Sequence, residues 1–239
     1  RATGLLALIV LLALPAAAQA TVFEVTRTDD PAPDGCAVNG CSLREALTSA
    51  NAVDGNGVHV PASATAYTLS NGHFAVNHTI TVQGDGAAST TISGDADNRI
   101  FVLTGVGKTL TITGLTISGG HAPVSGGIAT GGAISVSAGT LDIQSSILTG
   151  NAADATTSTG RGGAIDVATA NGSVSLTDSA VTGNQASSVS GSSSGGGIFV
   201  ISGAITLVRS SVTGNTVTAD QSATGGGITA QGPLTVTNS

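Results

Sequence analysis

The sequence predicts an all-β fold: a right-handed, single-stranded parallel β-helix with three short strands per coil and a short helix capping its N-terminal end. Three observations predict it. First, the second half of the chain repeats with a period of ~30 residues, the signature of a solenoid, propeller or array. Second, each repeat holds three apolar alternations of only a few residues, as in Ile165-x-Val167 and Val174-x-Leu176, with small turn residues between them. Helical solenoids need longer stripes of 3.6-residue period. Propeller blades need four strands and periodic aromatics. Third, the composition suits narrow stacked coils. Of 239 residues, 35 are Gly, 40% are hydrophobic, 2% are aromatic and 9% are charged. That is enough apolar material for a core built from Ala, Val, Ile, Leu and Thr methyls, so disorder along the whole chain is excluded.

Residues 1–20 read as a secretory signal peptide. Leu5 to Leu14 is apolar but, at ~10 residues, too short to span a bilayer. Ala18-Gln19-Ala20 is an A-x-A cleavage site, which places the mature start at Thr21. Arg1 is the only charge before it and no Met precedes it, so the N-terminus is expected to be incomplete. No later run is apolar enough to cross a membrane. The formal net charge of −7 becomes −8 when Arg1 is removed, and six basic residues remain. So few cations cannot neutralise many phosphates, and nucleic acid is excluded as a partner.

Residues 21–60 are expected to form an N-terminal cap. The two cysteines, Cys36 and Cys41, can form a disulfide in an exported chain. A zinc site is disfavoured, because no second Cys or His pair supplies the remaining ligands. Ser42-Leu43-Arg44-Glu45 is a capping box, in which the Ser42 hydroxyl meets the third helical N–H and Glu45 reaches back. Leu43, Ala46, Leu47 and Ala50 make an i, i+3, i+4, i+7 stripe that can lie over the first coil and shield its open end. Arg44 and Glu45 are read as a pair on the helix surface.

Residues 61–239 are expected to be the β-helix, with about five to seven coils at this period. Two blocks recur. Gly131-Gly132-Ala133-Ile134 returns as Gly162-Gly163-Ala164-Ile165, Gly195-Gly196-Gly197-Ile198 and Gly225-Gly226-Gly227-Ile228, with the Ile positions 31, 33 and 30 residues apart. Leu141-Asp142-Ile143 leads through Ser146 to Asn151; the matching blocks run through Ser179 to Asn184 and through Ser210 to Asn215, always ten residues from the first apolar position to Asn. Leu110 begins a looser copy with Leu115 for the Ser and Gly120 for the Asn. Leu234 begins one that stops at Ser239, so the chain is read as ending within a coil. Stacking coils would align Ile134, Ile165, Ile198 and Ile228 in one row, and Ile143, Leu176, Leu207 and Val236 in another. Asn151, Asn184 and Asn215 then form an internal ladder of side-chain amides. The paired glycines supply positive φ at a tight turn. The inserts 121–130, 152–161, 185–194 and 216–224 leave at one corner and are read as solvated linkers along one edge of the solenoid.

The run Cys41-Ser42-Leu43-Arg44-Glu45-Ala46-Leu47, followed by Asn51-Ala52, resembles the CSLREA module of exported bacterial proteins. Val58-His59-Val60-Pro61 and Ala66-Tyr67-Thr68-Leu69 are similar to that family's short strands. Gly57-Val58-His59-Val60 departs from its usual Asp-Thr-Ile entry. The resemblance implies right-handed β-helix repeats of the pectin-lyase-like class. The Gly-Gly-x-Ile and polar-turn blocks also resemble repeats of polymorphic outer-membrane proteins.

No catalytic, cofactor-binding or metal-binding residue is assigned. Glycoside hydrolysis needs two positioned carboxylates. From Leu115 onward the charges are Asp142, Asp154, Arg161, Asp166, Asp178, Arg209 and Asp220, and none of the Asp positions recurs in the next coil. Asp95-Ala96-Asp97-Asn98-Arg99 is read as a turn with solvated charges, and Asp54-Gly55-Asn56-Gly57 as a turn lacking the later Glu of a calcium loop. His59, His73, His78 and His121 form no spaced ligand set. Gly191-Ser192-Ser193-Ser194-Gly195 and Gly105-Val106-Gly107-Lys108-Thr109 imitate a nucleophile elbow and a phosphate loop, but lack the flanking elements those motifs need. The expected role is an exported, secreted or cell-surface structural or adhesive protein, whose partners are surface glycans or other cell-surface proteins. The competing expectation is a polysaccharide lyase or glycoside hydrolase with its catalytic coils beyond Ser239.

Overall fold

A computed structural model describes residues 20–239 apart from Asp95 and Asp97. The expected signal peptide therefore lies outside the described residues, except for Ala20. The chain winds as a parallel β-helix. Eight strands, from Val22–Glu24 to Leu234–Thr237, form the first sheet. Six strands from Tyr67–Leu69 to Ser211–Thr213 form the second, and six from Phe74–Val76 to Ile228–Ala230 form the third. Each coil adds one strand to each sheet, so residues one coil apart are neighbours at ~4.8 Å.

Register follows from the alternation of large and small residues, because a slip of one position would turn the apolar set outward. In the first sheet Val58, Val82, Ile112, Ile143, Leu176, Leu207 and Val236 make one continuous row. In the second, Tyr67, Ile92, Ile117, Leu148, Val181 and Val212 do the same. In the third the row is Phe74, Phe101, Ile134, Ile165, Ile198 and Ile228. Most of these side chains are fully buried, and each contributes about 1.5–3 kcal/mol of burial free energy. We call this three-sided stack the barrel.

The three-strand coil is the form of the early coils. From the strand Gly139–Gln144 onward each coil carries two more strands. The inserts read as linkers instead stack into two further parallel sheets. The outbound sheet contains Ala152–Ala155, Gln185–Ser188 and Thr216–Ala219. The return sheet contains Ala129–Thr130, Thr159–Arg161, Ser192–Ser194 and Ser222–Thr224. The Ser run that imitates a nucleophile elbow is thus a strand. Together the two sheets form an arm along the barrel. Its interior is made of Ala122, Ala129, Ala153, Ala155, Ala186 and Ser193. A Cβ at Gly160 would collide with the backbone carbonyls of Ala153 and Ser187. The two layers meet so closely that only very small residues fit between them, and that is why no hydrophobic alternation marks these strands.

At the N-terminal end Val22–Glu24 pairs in register with Gly57–Val60. Cap and coils therefore share one sheet across the expected boundary at residue 60. The helix Leu43–Ala50 rests against these first strands, with Leu43, Ala46, Leu47 and Ala50 buried. Among the described residues no helix is long and apolar enough to cross a membrane, which says nothing of spanning by strands.

Candidate functional site

Two side-chain ladders run along the barrel, and both use one device. A residue with left-handed φ makes the corner, and the next side chain clamps it. At the corner between the second sheet and the arm the left-handed residues are Gly150, Gly183 and Gly214, with φ of 62° to 64°. Each is followed by an Asn. The Asn184 Nδ2 donates back to Thr182 O, across Gly183, and down to Leu148 O. Its Oδ1 accepts the Asn151 backbone N–H at 3.0 Å and the Asn151 Nδ2 at 2.9 Å. Asn215 serves Asn184 in the same way, and Asn151 receives the Gly120 N–H. Asn151 and Asn184 are 1% exposed, so these bonds satisfy backbone groups that water cannot reach.

The second ladder is made of serines. The repeat places Ser146, Ser179, Ser210 and Ser239 at one position, at the corner between the first and second sheets. Ser179 Oγ donates to Thr177 O at 2.7 Å and accepts the Ser146 N–H. Ser210 accepts from Ser179, Ser239 from Ser210, and Ser146 from Leu115. The spanned corner residues are Ser145, Asp178, Arg209 and Asn238, all non-glycine with φ of 46° to 53°. Left-handed conformations cost such residues about 1–3 kcal/mol unless the surroundings hold them. Here the serine clamp holds them, and Arg209 adds a two-pronged ion pair to Asp178 at 2.6 and 2.7 Å. The recurrence of Ser was visible in the sequence; its use as a ladder was not drawn from it.

The paired glycines divide two tasks. Only the first of each pair has positive φ: Gly131, Gly162, Gly195 and Gly225, at 60° to 64°. The second is required by close approach, since a Cβ at Gly163 would run into the carbonyls of Gln185 and Gly196.

At the cap, Cys36 and Cys41 are joined by a disulfide. Ser42 and Glu45 form the full capping box: Glu45 Oε2 accepts the Ser42 N–H at 2.7 Å, and Ser42 Oγ accepts the Glu45 N–H. Glu45 Oε1 also accepts the Asp34 N–H at 2.9 Å. These backbone donors from Ser42 and Asp34 hold its carboxyl down at about 2. Arg44 and Glu45 are not the surface pair expected of them. Arg44 makes a two-pronged pair with the buried Asp30 and donates to Gly72 O, so the two charges tie different parts of the leading loop to the helix. On the first sheet His59 lies between Glu24 and Asp85, with a ring nitrogen 2.8 to 2.9 Å from each. Burial opposes its protonation, but the bonds to Asp85 and Glu24 outweigh it, and its pKa is raised.

The least expected group sits where the return sheet of the arm meets the third sheet. Strand alternation points Ser135, Asp166 and Phe199 away from the barrel core, yet all three are buried. Asp166 is 1% exposed and neither of its oxygens accepts a hydrogen bond. The Arg161 Nε lies 3.6 Å from its Oδ1, and the Arg161 guanidinium covers the Phe199 ring at 5.0 Å. Arg99, expected to be solvated, is half-buried and acts on the same carboxylate. Burial raises the Asp166 carboxyl to about 6 despite both arginines. Sequence reasoning missed this group because its five members come from five different strands or turns and none recurs. Lys108 pairs with Asp54, and His121 approaches Asp154 at 3.4 Å. Among the described residues no group of three or more His, Cys, Asp or Glu side chains is arranged to hold a metal ion. No family model, curated protein or solved structure matches the chain.

Proposed function

We propose that the protein is exported and serves a structural or adhesive role at the cell surface or outside the cell, as a rigid β-helical scaffold. The observation that carries this reading is the pair of side-chain ladders, which lock coil to coil without a break from Leu115 to Ser239 and from Gly120 to Asn215. Such repetition gives length and stiffness, as in other repeat proteins. The Cys36–Cys41 disulfide supports passage through an oxidising compartment. We read residues 41–47 as a CSLREA-like module, with Cys41, Arg44 and Glu45 tying the leading loop to the helix, Ser42 capping that helix and Arg44 also reaching Gly72 O. Surface glycans or other surface proteins are the partners this role implies.

One observation favours the catalytic alternative of a polysaccharide-active enzyme. Asp166 is a carboxyl held near the pKa of a general acid. Its described charged neighbours are both arginines, whereas hydrolysis needs a second carboxylate. A screen of purified protein against plant, bacterial and animal polysaccharides decides between the two. Binding without release of unsaturated or reducing ends is the expected result. Turnover abolished by D166N would establish the enzyme instead.

A further inference from the structure

We propose that the corner between arm and barrel is a pH-gated hinge, closed while Asp166 is neutral and loosened when Asp166 ionises. Buried polar atoms in folded proteins are almost always paired. Here both Asp166 oxygens, the Arg161 Nε and the Arg99 Nε are buried without a hydrogen-bond partner, the Arg161 Nε standing off at 3.6 Å from Asp166 Oδ1 as an ion pair. An ionised carboxylate in that position has lost its water and gained no donor. Attraction to two guanidiniums out of hydrogen-bonding reach returns only part of that cost. The strands on either side present Ser135 and Phe199, which do not titrate. The described charged groups that act on Asp166 are Arg161, from the return sheet, and Arg99, from the segment before the strand Phe101–Leu103.

The same corner is the place where the chain can give. Arg161 and Asp166 are separated by the turn Gly162-Gly163-Ala164-Ile165. The amides of Gly162, Gly163 and Ala164 hold this turn to Ser194, Gly195 and Gly197 in the next coil. Beyond it the arm is filled by alanine, glycine and serine, so little apolar burial opposes its displacement. Opening lets water reach Asp166.

The sign follows from the raised pKa. The closed corner binds the Asp166 proton more tightly than the open one, in which the carboxyl returns toward its ordinary value. Closure is therefore strongest in acid, below the ordinary carboxylate range, and weakens as pH rises through about 6. A carboxyl at about 6 when closed, against its ordinary value when open, corresponds to an opening equilibrium that grows by about a hundredfold across this window.

The test is hydrogen exchange of the Gly162, Gly163 and Ala164 amides from pH 4 to 8, corrected for intrinsic rates and referred to Leu141 and Leu176 in the first sheet. The wild-type ratio should rise about a hundredfold with a midpoint near 6. D166N carries a neutral side chain of the same shape and should stay at the protected acid level at every pH. A flat wild-type ratio, a fall with rising pH, or a slope that survives in D166N would overturn the proposal. So would failure of D166N to fold, because the neutral form is the closed one. An independent check is the 13C titration of the wild-type Asp166 carboxyl: a midpoint near 6 supports the hinge, and an ordinary carboxylate midpoint removes its basis.

Discussion

The barrel and the arm are built from the same repeat and by the same parallel pairing, but they are filled differently. In the barrel, rows made mostly of Ile, Leu, Val and Phe fill the inward positions, and Asn and Ser ladders fix two of its corners. In the arm, the buried positions between the two sheets are Ala, Gly and Ser, and only the last coil brings in a larger residue, the half-buried Val217. Both are held by in-register parallel pairing. They differ in apolar area removed from water, and at about 25 cal/mol per Å² that difference dominates stability. Stacking by hydrogen bonds alone can therefore give an element its shape without giving it much of its own stability.

The largest expected effect lies in the barrel. Ile165→Ala removes one member of a fully buried row and should cost about 2–5 kcal/mol, read as a lower melting temperature. A shift no larger than that of an arm variant would break the contrast. Next comes the ladder. Asn184→Leu strands the Asn151 N–H and the Thr182 and Leu148 carbonyls in a dry corner, and should cost on the order of 1–3 kcal/mol. An unchanged melting temperature would mean that the ladder is only decorative.

A smaller global effect is expected from Gly160→Val. The new side chain cannot fit against Ala153 and Ser187, so the arm strands should separate and lose amide protection. The barrel transition should move less than in either barrel variant. A barrel that unfolds with the arm would show the two to be one cooperative unit. The smallest effect concerns the cap. His59 has a raised pKa, so the stability it contributes is complete below about 6.5 and lost as pH rises through the higher folded value. His59→Gln should flatten the decline in melting temperature as pH rises above about 6.5. Persistence of that decline would place its origin elsewhere.

The barrel was legible because its rows use large β-branched residues at fixed spacing: Ile134, Ile165, Ile198 and Ile228 line up in the third sheet as their intervals implied. The helix was legible because Ser42 and Glu45 carry a capping signal that needs only local contacts. The arm was not, since Ala153 facing Gly160 carries no hydrophobic alternation to detect. The corner residues Asp178 and Arg209 hide a left-handed turn that glycine would have announced. Asp166 does not recur, its register neighbours being Ser135 and Phe199, and the arginines that act on it, Arg99 and Arg161, are brought there by coil stacking.

The contrast between arm and barrel is tested most directly by native-state hydrogen exchange, followed residue by residue at a single pH. Barrel amides such as those of Ile143, Leu176 and Ile198 should exchange only through global unfolding. Arm amides at Ala153, Ala186 and Ser193 should exchange through a separate opening of lower free energy. One common free energy for both sets would contradict the account.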